Sequence, residues 1–228
     1  LNVRLYFNRL AKTTVLDGHA QCGTPGSVNT AFVPNIGPSY AALRHEPSVP
    51  AAFVPVTVSV SATDPDNVTA MTLWSRPDGG AWTSQPMTGS GALYSAVLQG
   101  RAAATTVQFY VEGTDGQNVK SWFPAAGPNS RALYRVNDGQ AATNGLHNVR
   151  LVTLKADADS MHATINLMSN QRIGATVIYD EREVYYNTGL RLKGSEHSRT
   201  TTQRLGFNIG FNSEQLFRGV HRSVAIDR

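Results

Sequence analysis

The feature that most constrains the fold is a strict alternation of valine with small or polar residues over residues 54–60. Because successive side chains of an extended strand point to opposite faces, this repeat places all four valines on one face. A turn-rich segment follows at residues 63–67, and later apolar segments end at the Asp-Gly turns 78–79 and 115–116. Short alternating strands separated by such turns predict a mainly β protein built on an antiparallel β-sandwich.

The same signals continue through the rest of the chain. Further strands of the sandwich are predicted at residues 68–74, 93–98, 107–111 and 133–136. Beyond them, residues 149–154 form a predicted strand, and residues 157–165 a loop or a short helix. Residues 173–179 and 184–192 alternate on either side of the polar corner 180–183, which predicts a β-hairpin. A third strand over residues 205–211 is expected to pair beside that hairpin.

These patterns divide the chain into four parts. Residues 1–30 form a first part with a short predicted strand and a turn-rich loop, and the proline-rich residues 31–51 are predicted to be an extended linker. Residues 52–137 form the predicted sandwich, and residues 144–228 a β-rich lobe. The chain begins at Leu1 with neither an initiating methionine nor a signal peptide, so it is expected to be an internal piece of a longer protein.

Composition excludes several classes of function. The 20 basic and 16 acidic residues leave a net charge of only +4, and no run of lysine or arginine forms a nucleic-acid-binding stripe. No apolar run approaches the roughly 20 residues that a membrane-spanning helix needs. Cys22 is the single cysteine, so no intrachain disulfide can form, and its Gly- and Pro-rich surroundings indicate an ordinary loop thiol.

Two groups of residues in the predicted sandwich have two interpretations each. Asp64, Asp66 and Asp115 lie on loops that can meet at one end of the sandwich and bind Ca²⁺, or they cap tight turns. Five aromatic residues either form a stacking platform for sugars or fill the core, namely Trp74, Trp82, Trp122, Tyr94 and Tyr110.

Three stretches resemble known families. The runs VSVSATDPD (residues 58–66) and FYVEGTDG (109–116) resemble the immunoglobulin-like and fibronectin-III-like modules of bacterial surface proteins. The run GTPGSVN (23–29) resembles the closing motif of bacterial lamin-tail domains, which implies that residues 1–30 are the end of an upstream β domain of that kind. The runs TGLRLKGS (188–195), FNIGF (207–211) and FRGV (217–220) resemble the N-terminal portion of the spore-coat-protein-H kinase-like family. Together these resemblances imply a secreted, extracellular or cell-surface bacterial protein with several domains.

The kinase-like resemblance implies an atypical protein-kinase fold that uses ATP and Mg²⁺ to phosphorylate serines of a partner protein. Phosphoryl transfer needs cations against the phosphates, and the candidates are Arg191, Lys193, Arg199 and Arg204. Arg191 and Lys193 share one strand face, so simple solvation is the alternative. The family often carries lysines in and just before the strand matching residues 205–211, where this chain has Arg204, and arginine does not substitute directly for a phosphate-contacting lysine.

The family's metal-binding and catalytic acids lie in a following lobe, so this chain has no catalytic residues to assign and is expected to be inactive alone. The leading hypothesis is a piece of a secreted kinase-like protein, with the sandwich as spacer or docking module and with protein substrates or neighbouring domains as partners. The alternative is a non-catalytic structural or adhesive extracellular protein. A weaker one is a carbohydrate-binding sandwich.

Overall fold

A computed structural model describes residues 34–141, 143–199 and 205–227. The chain divides into two units, Leu1–Ile36 and Gly37–Arg228, and the second contains every element below. The predicted lamin-tail end (residues 1–30), Cys22 and Arg204 lie outside the described residues. Among the described residues, no helix is long and apolar enough to cross a membrane.

Two antiparallel sheets form the predicted sandwich. One sheet has the order β1-β2-β6-β5; the other has the order β4-β3-β7-β8, with β9 also paired to β7. The nine strands are β1 (Ser39–Glu46), β2 (Val56–Thr63), β3 (Val68–Pro77), β4 (Thr83–Pro86), β5 (Thr88–Ser90), β6 (Leu93–Leu98), β7 (Thr106–Asp115), β8 (Lys120–Phe123) and β9 (Ala132–Arg135). The protein is therefore mainly β, as the sequence predicts.

The alternating valines of β2 form the centre of the sandwich core. Val58 and Val60 are fully buried and Val56 almost so, whereas Val54 precedes the strand and is 39% exposed. Facing strands contribute Leu73 and Phe109, both fully buried. The period-2 pattern thus predicted the buried face of β2 correctly, but it began the strand two residues too early, at Val54 instead of Val56.

The prediction of a linker over residues 31–51 is wrong for its central part. Residues 39–46 form β1, which pairs antiparallel with β2. The register shifts between Ala41 and Arg44, and Ala42 adopts a φ of +53°. This bulge breaks the alternation of side chains, and prolines flank the strand on both sides, so the sequence there is typical of a linker.

A third sheet, of five strands, follows the sandwich and confirms the predicted hairpin; we call it the second sheet because it lies outside the sandwich. Its strands pair antiparallel in the order β10-β11-β12-β13-β14. They are β10 (Val149–Val152), β11 (Ile173–Tyr179), β12 (Glu183–Lys193), β13 (Gly206–Gly210) and β14 (Ser223–Ile226); helices α1 (Lys155–His162) and α2 (Glu196–Arg199) lie between them. The hairpin corner places Asp180 and Glu181 at positive φ, a conformation that tight polar turns use.

The two faces of the second sheet are buried differently. One face packs Ala175, Val177, Leu190, Leu192 and Ile209 into a core that Met161 of α1 covers. On the other face, Ile178 of β11 packs with Val152, Leu154 and Leu133, and Leu133 belongs to strand β9 of the sandwich. The second sheet is therefore docked on the sandwich through the face opposite α1.

Tyr186 of β12 anchors this docking. Its ring is part of the sandwich core, 5.7 Å from Phe109 in an edge-to-face arrangement. Its hydroxyl lies 2.5 Å from Nδ1 of His45 on β1, and the His45 ring stacks on Tyr134 of β9 at 5.1 Å. One side chain of the second sheet thus contacts β1 of one sandwich sheet and β7 of the other.

An ion-pair network supports the same junction. Asp138, just after β9, accepts hydrogen bonds from Arg135 and Arg150, and Arg150 also binds Glu181 of the hairpin corner. Burial alone raises the pKa of Asp138, but the two guanidinium groups outweigh it and hold that pKa well below its usual range. Ion pairs therefore also connect three parts of the chain: the segment just after β9, strand β10 and the hairpin corner.

The buried His45 makes stability depend on pH. Nε2 of His45 faces the Ser48 carbonyl, which can only accept, so Nε2 carries the proton and Nδ1 accepts from the Tyr186 hydroxyl. Burial lowers the pKa of His45 from 6.5 to about 4, because the ring must stay neutral. The unfolded chain protonates first as pH falls, so the stabilisation is complete above pH 6.5 and is lost progressively down to about pH 4.

We expect protonation linked to His45 to lower the free energy of unfolding by about 3 kcal/mol between pH 7 and pH 4. Urea denaturation across that pH range measures this loss. The variant His45→Gln should show a correspondingly smaller loss on acidification. His162→Gln, which removes an exposed histidine, is the control and should keep the full loss. Equal pH dependence in the wild type and His45→Gln would contradict this assignment.

Candidate functional site

The three aspartates predicted to meet at one end of the sandwich do meet there. Asp64 and Asp66 lie in the β2–β3 connection and Asp115 is the last residue of β7. Carboxylate oxygens of all three lie within 4.8 Å of one another, and Asp115 is fully buried. No other group of three or more His, Cys, Asp or Glu side chains with this geometry occurs in the part of the chain that the structure describes.

The same carboxylates also hold their turns. Asp64 Oδ1 accepts from the Asp66 backbone N–H at 2.8 Å, and Asp115 Oδ1 accepts from the backbone N–H groups of Gln117 and Val119 at 2.8 Å each. Gln117 Nε2 donates to Asp66 Oδ2 at 2.7 Å, which links the two loops. The turn-capping interpretation of this acidic cluster is therefore observed directly, and cation binding stays a prediction.

The tryptophans lie outside the sandwich core. The buried cluster between the two sandwich sheets contains no tryptophan among the described residues. Tyr94, on β6, packs against that cluster. Trp74 stacks on Tyr110 at 6.0 Å, while Trp82 meets Tyr110 edge-on and carries the Arg76 guanidinium over its own ring at 4.6 Å. The planes of Trp74 and Tyr110 differ by only 4°, whereas Trp82 is nearly perpendicular to Tyr110, so these three rings do not all lie in one plane.

The second candidate region lies on the face of the second sheet opposite α1, near the end of β12, where polar residues replace the apolar docking residues; we call this part the polar face. Leu190 and Leu192 of β12 are buried on the apolar face, so Arg191 and Lys193 lie on the opposite one, as the sequence predicts. Lys193 Nζ forms an ion pair with Asp227 at 2.7 Å. Arg191 Nη1 donates to the Asn170 side chain at 3.0 Å. Both cations therefore lie at the end of one strand and on one side of the sheet.

Arg199 has a different environment from the other predicted cations. It is 7% exposed, and its guanidinium donates to the backbone carbonyls of Gly194, Leu167 and Ser169 at 2.9 to 3.3 Å. Those bonds tie α2 to the segment before β11. Arg199 is thus a structural clamp, and the structure does not bring it to the polar face with Arg191 and Lys193.

Sequence reasoning missed a row of glycines across this face. Gly174 of β11 pairs with Gly189 of β12, and Gly189 pairs with Gly210 of β13. Arg131 lies over Gly174, and Arg172 lies over both Gly189 and Gly210, within 2.7 Å of where a Cβ atom would stand. The glycines are the only residue type that leaves room for these arginines, and the signal was their spacing on three successive strands.

Comparisons with known proteins do not identify a family. No family model matches the chain, and no curated protein matches it. Among solved structures, one similar chain is an uncharacterized protein of Listeria monocytogenes, crystallised with α-D-glucose, β-D-glucose, magnesium and calcium. The match covers 82% of this chain and 17% of that one, at 9% identity and a TM-score of 0.34. A similarity this low carries no argument about fold or ligand.

Proposed function

We propose that this chain is part of a larger secreted bacterial protein of the spore-coat-H kinase-like type, in which the sandwich docks and orients a β-rich lobe. In this proposal the lobe turns its polar face to the phosphates of ATP, and Arg191 and Lys193 contact them. A protein serine would be the acceptor for the whole protein, whose catalytic acids lie beyond this lobe.

The arrangement at the end of β12 carries this proposal. Lys193 pairs with Gly206 across the strands, and Arg191 pairs with Asn208, so the two cations have only small neighbours on β13. A phosphate chain needs positive charge and room to approach the backbone, and both are present there. Lys193 and Asp227 are 37% and 76% exposed, so a phosphate can compete with Asp227 for the lysine.

The described residues fit the phosphates of ATP better than they fit its divalent cation. Mg²⁺ prefers carboxylate oxygens, but Asp157 and Asp227 are already paired with Arg131 and Lys193. Bound Mg²⁺ would neutralise charge on the phosphates during transfer. We assign no residue of this chain to the metal and derive no transfer step from it.

The docking role of the sandwich is supported by the junction itself. Tyr186 is buried in the sandwich core, and it belongs to the same strand as Arg191 and Lys193. A strand fixed at one end by a buried side chain positions the residues at its other end. The sandwich is therefore proposed to orient the phosphate-binding face rather than to act as a loose spacer.

ATP binding to this chain tests the proposal. We expect saturable binding of MgATP by isothermal titration calorimetry, weakened about tenfold by Lys193→Gln because a charge-assisted contact is lost. Asp227→Asn should strengthen binding several-fold, because it removes the carboxylate that competes for Lys193. Arg182→Gln, which removes an exposed charge at the opposite end of the hairpin, should leave affinity unchanged. Absence of binding, or equal effects of Lys193→Gln and Arg182→Gln, would contradict the proposal.

The acidic cluster favours a second candidate, a calcium-stabilised extracellular module in an adhesive or structural array. Asp64, Asp66 and Asp115 bring three carboxylates within 4.8 Å, a concentration of negative charge that a cation between them would stabilise. Carboxylate and carbonyl oxygens are the ligands of Ca²⁺ in proteins. In this role the ion would lock the β2–β3 loop to the end of β7 and stiffen the module.

A calcium titration followed by thermal unfolding tests this second candidate. With Ca²⁺ at 100 times its Kd, binding to the native state adds about 2.7 kcal/mol, which raises Tm by roughly 5–10 °C. Asp66→Asn should remove most of that rise, while Asp159→Asn, at an exposed helix position, should keep it. Identical calcium responses of the wild type and Asp66→Asn would rule out the site.

A further inference from the structure

A small pocket opens at the edge of the second sheet, where the segment after α1 meets the start of β11 and the end of β12. It encloses about 110 Å³. That volume is well above the roughly 10–15 Å³ that one water molecule needs, and it accommodates a tetrahedral oxyanion. Its polar lining consists of Ser160, Asn166, Ser169, Gln171, Arg172 and Arg191. We call it the arginine pocket.

The charges of the arginine pocket are all of one sign. None of its lining residues is a carboxylate, and among the described residues neither Arg172 nor Arg191 forms a salt bridge. Arg131 and Lys193 nearby differ, because Arg131 pairs with Asp157 and Lys193 with Asp227. Arg172 and Arg191 are therefore two positive charges of this pocket that pair with no carboxylate among the described residues.

The strand register brings these two charges together. Ile173 of β11 is paired with Leu190 of β12, so the next residue on each strand places Arg172 opposite Arg191. Like charges directly opposite each other in a sheet destabilise it. An anion between two guanidinium groups converts that repulsion into attraction, since each group offers a planar fork of donors that matches a phosphate edge.

Neighbouring residues hold both guanidinium groups in place. Arg172 lies flat over Gly189 and Gly210, with its Nη2 donating to Asn208 Oδ1 at 2.7 Å. Arg191 donates one bond to Asn170 Oδ1 at 3.0 Å. Each arginine is thus oriented by an uncharged amide acceptor, which leaves its positive charge uncompensated. A group oriented in advance loses less entropy when a ligand binds.

We propose that the arginine pocket binds a single phosphate group, either as the free ion or carried by a larger ligand, between Arg172 and Arg191. The hydroxyls of Ser160 and Ser169 and the amide of Gln171 line the pocket and can supply neutral donors, whereas the Asn166 amide donates to Ser160. The inference goes beyond the proposed function, because it requires neither ATP nor a kinase-like parent and rests mainly on Arg172, which that function does not use.

Titration of this chain with inorganic phosphate at constant ionic strength tests the inference. We expect saturable binding by calorimetry and a rise in Tm that sulfate reproduces and acetate does not. Arg172→Gln and Arg191→Gln should each weaken phosphate binding at least about tenfold. Arg182→Gln, which removes an equal charge from the same hairpin at its far end, should leave affinity within about twofold.

A stability measurement keeps the inference testable if the variants bind weakly for other reasons. Without phosphate, Arg172→Gln should have a Tm close to that of the wild type, because the loss of the bond to Asn208 is offset by the removal of like-charge repulsion. A lower Tm would mean that Arg172 is a structural residue and would overturn the inference, as would an equal loss of affinity in Arg182→Gln or equal binding of acetate.

Parallel titrations with phosphate, O-phosphoserine and AMP distinguish a free phosphate ion from a phosphate group carried by a larger ligand. If one phosphomonoester binds more tightly than phosphate, the ligand is of that class; equal affinities identify the free ion. Both results support the pocket. If the wild type and Lys193→Gln both bind phosphate but the wild type does not bind MgATP, the proposed kinase-like function is contradicted and this inference stands. No binding of any phosphate compound would overturn it.

Discussion

The insertion of Tyr186 into the sandwich core is the contact on which the rest of the structure depends. A tyrosine buried this completely must satisfy its hydroxyl, and His45 supplies the acceptor while its other ring nitrogen is held by the Ser48 carbonyl. Burial in turn raises the pKa of Tyr186, so the hydroxyl stays neutral. The strands β1, β9 and β12 are thereby fixed to one another, although they come from parts of the chain that the sequence divides into separate modules.

That constraint explains why β12 can serve two purposes. Near its start the strand contributes an aromatic ring to the sandwich, and near its end it carries Arg191 and Lys193 beside glycines. A bulge separates the two halves, since the register with β11 shifts between Ala175 and Val177 and Asn187 has a φ of +51°. The bulge lets Tyr186 face the sandwich while Leu190 and Leu192 keep their side chains in the core under α1.

Local patterns predicted most of the fold and part of the candidate site. Alternating residues and turn residues were sufficient to predict β2, β3, β7 and the β11–β12 hairpin. They were also sufficient to predict that Asp64, Asp66 and Asp115 lie close together. They failed for β1, where a bulge breaks the period, and for Arg199, whose carbonyl partners lie up to 32 residues away in sequence. Tyr186 and Arg172 could not be assigned either, because their neighbours are set by strand pairing that no single segment encodes.

Equilibrium urea unfolding of the wild type and Tyr186→Ala tests most directly whether the sandwich and the second sheet form one cooperative unit. All three tryptophans lie in the sandwich, so their fluorescence reports that part, and hydrogen exchange at Val177 and Leu190 reports the second sheet. We predict one coincident transition in the wild type and a shared loss of about 3–5 kcal/mol in the variant. Two separate transitions, or a variant whose tryptophan transition does not move, would contradict this account.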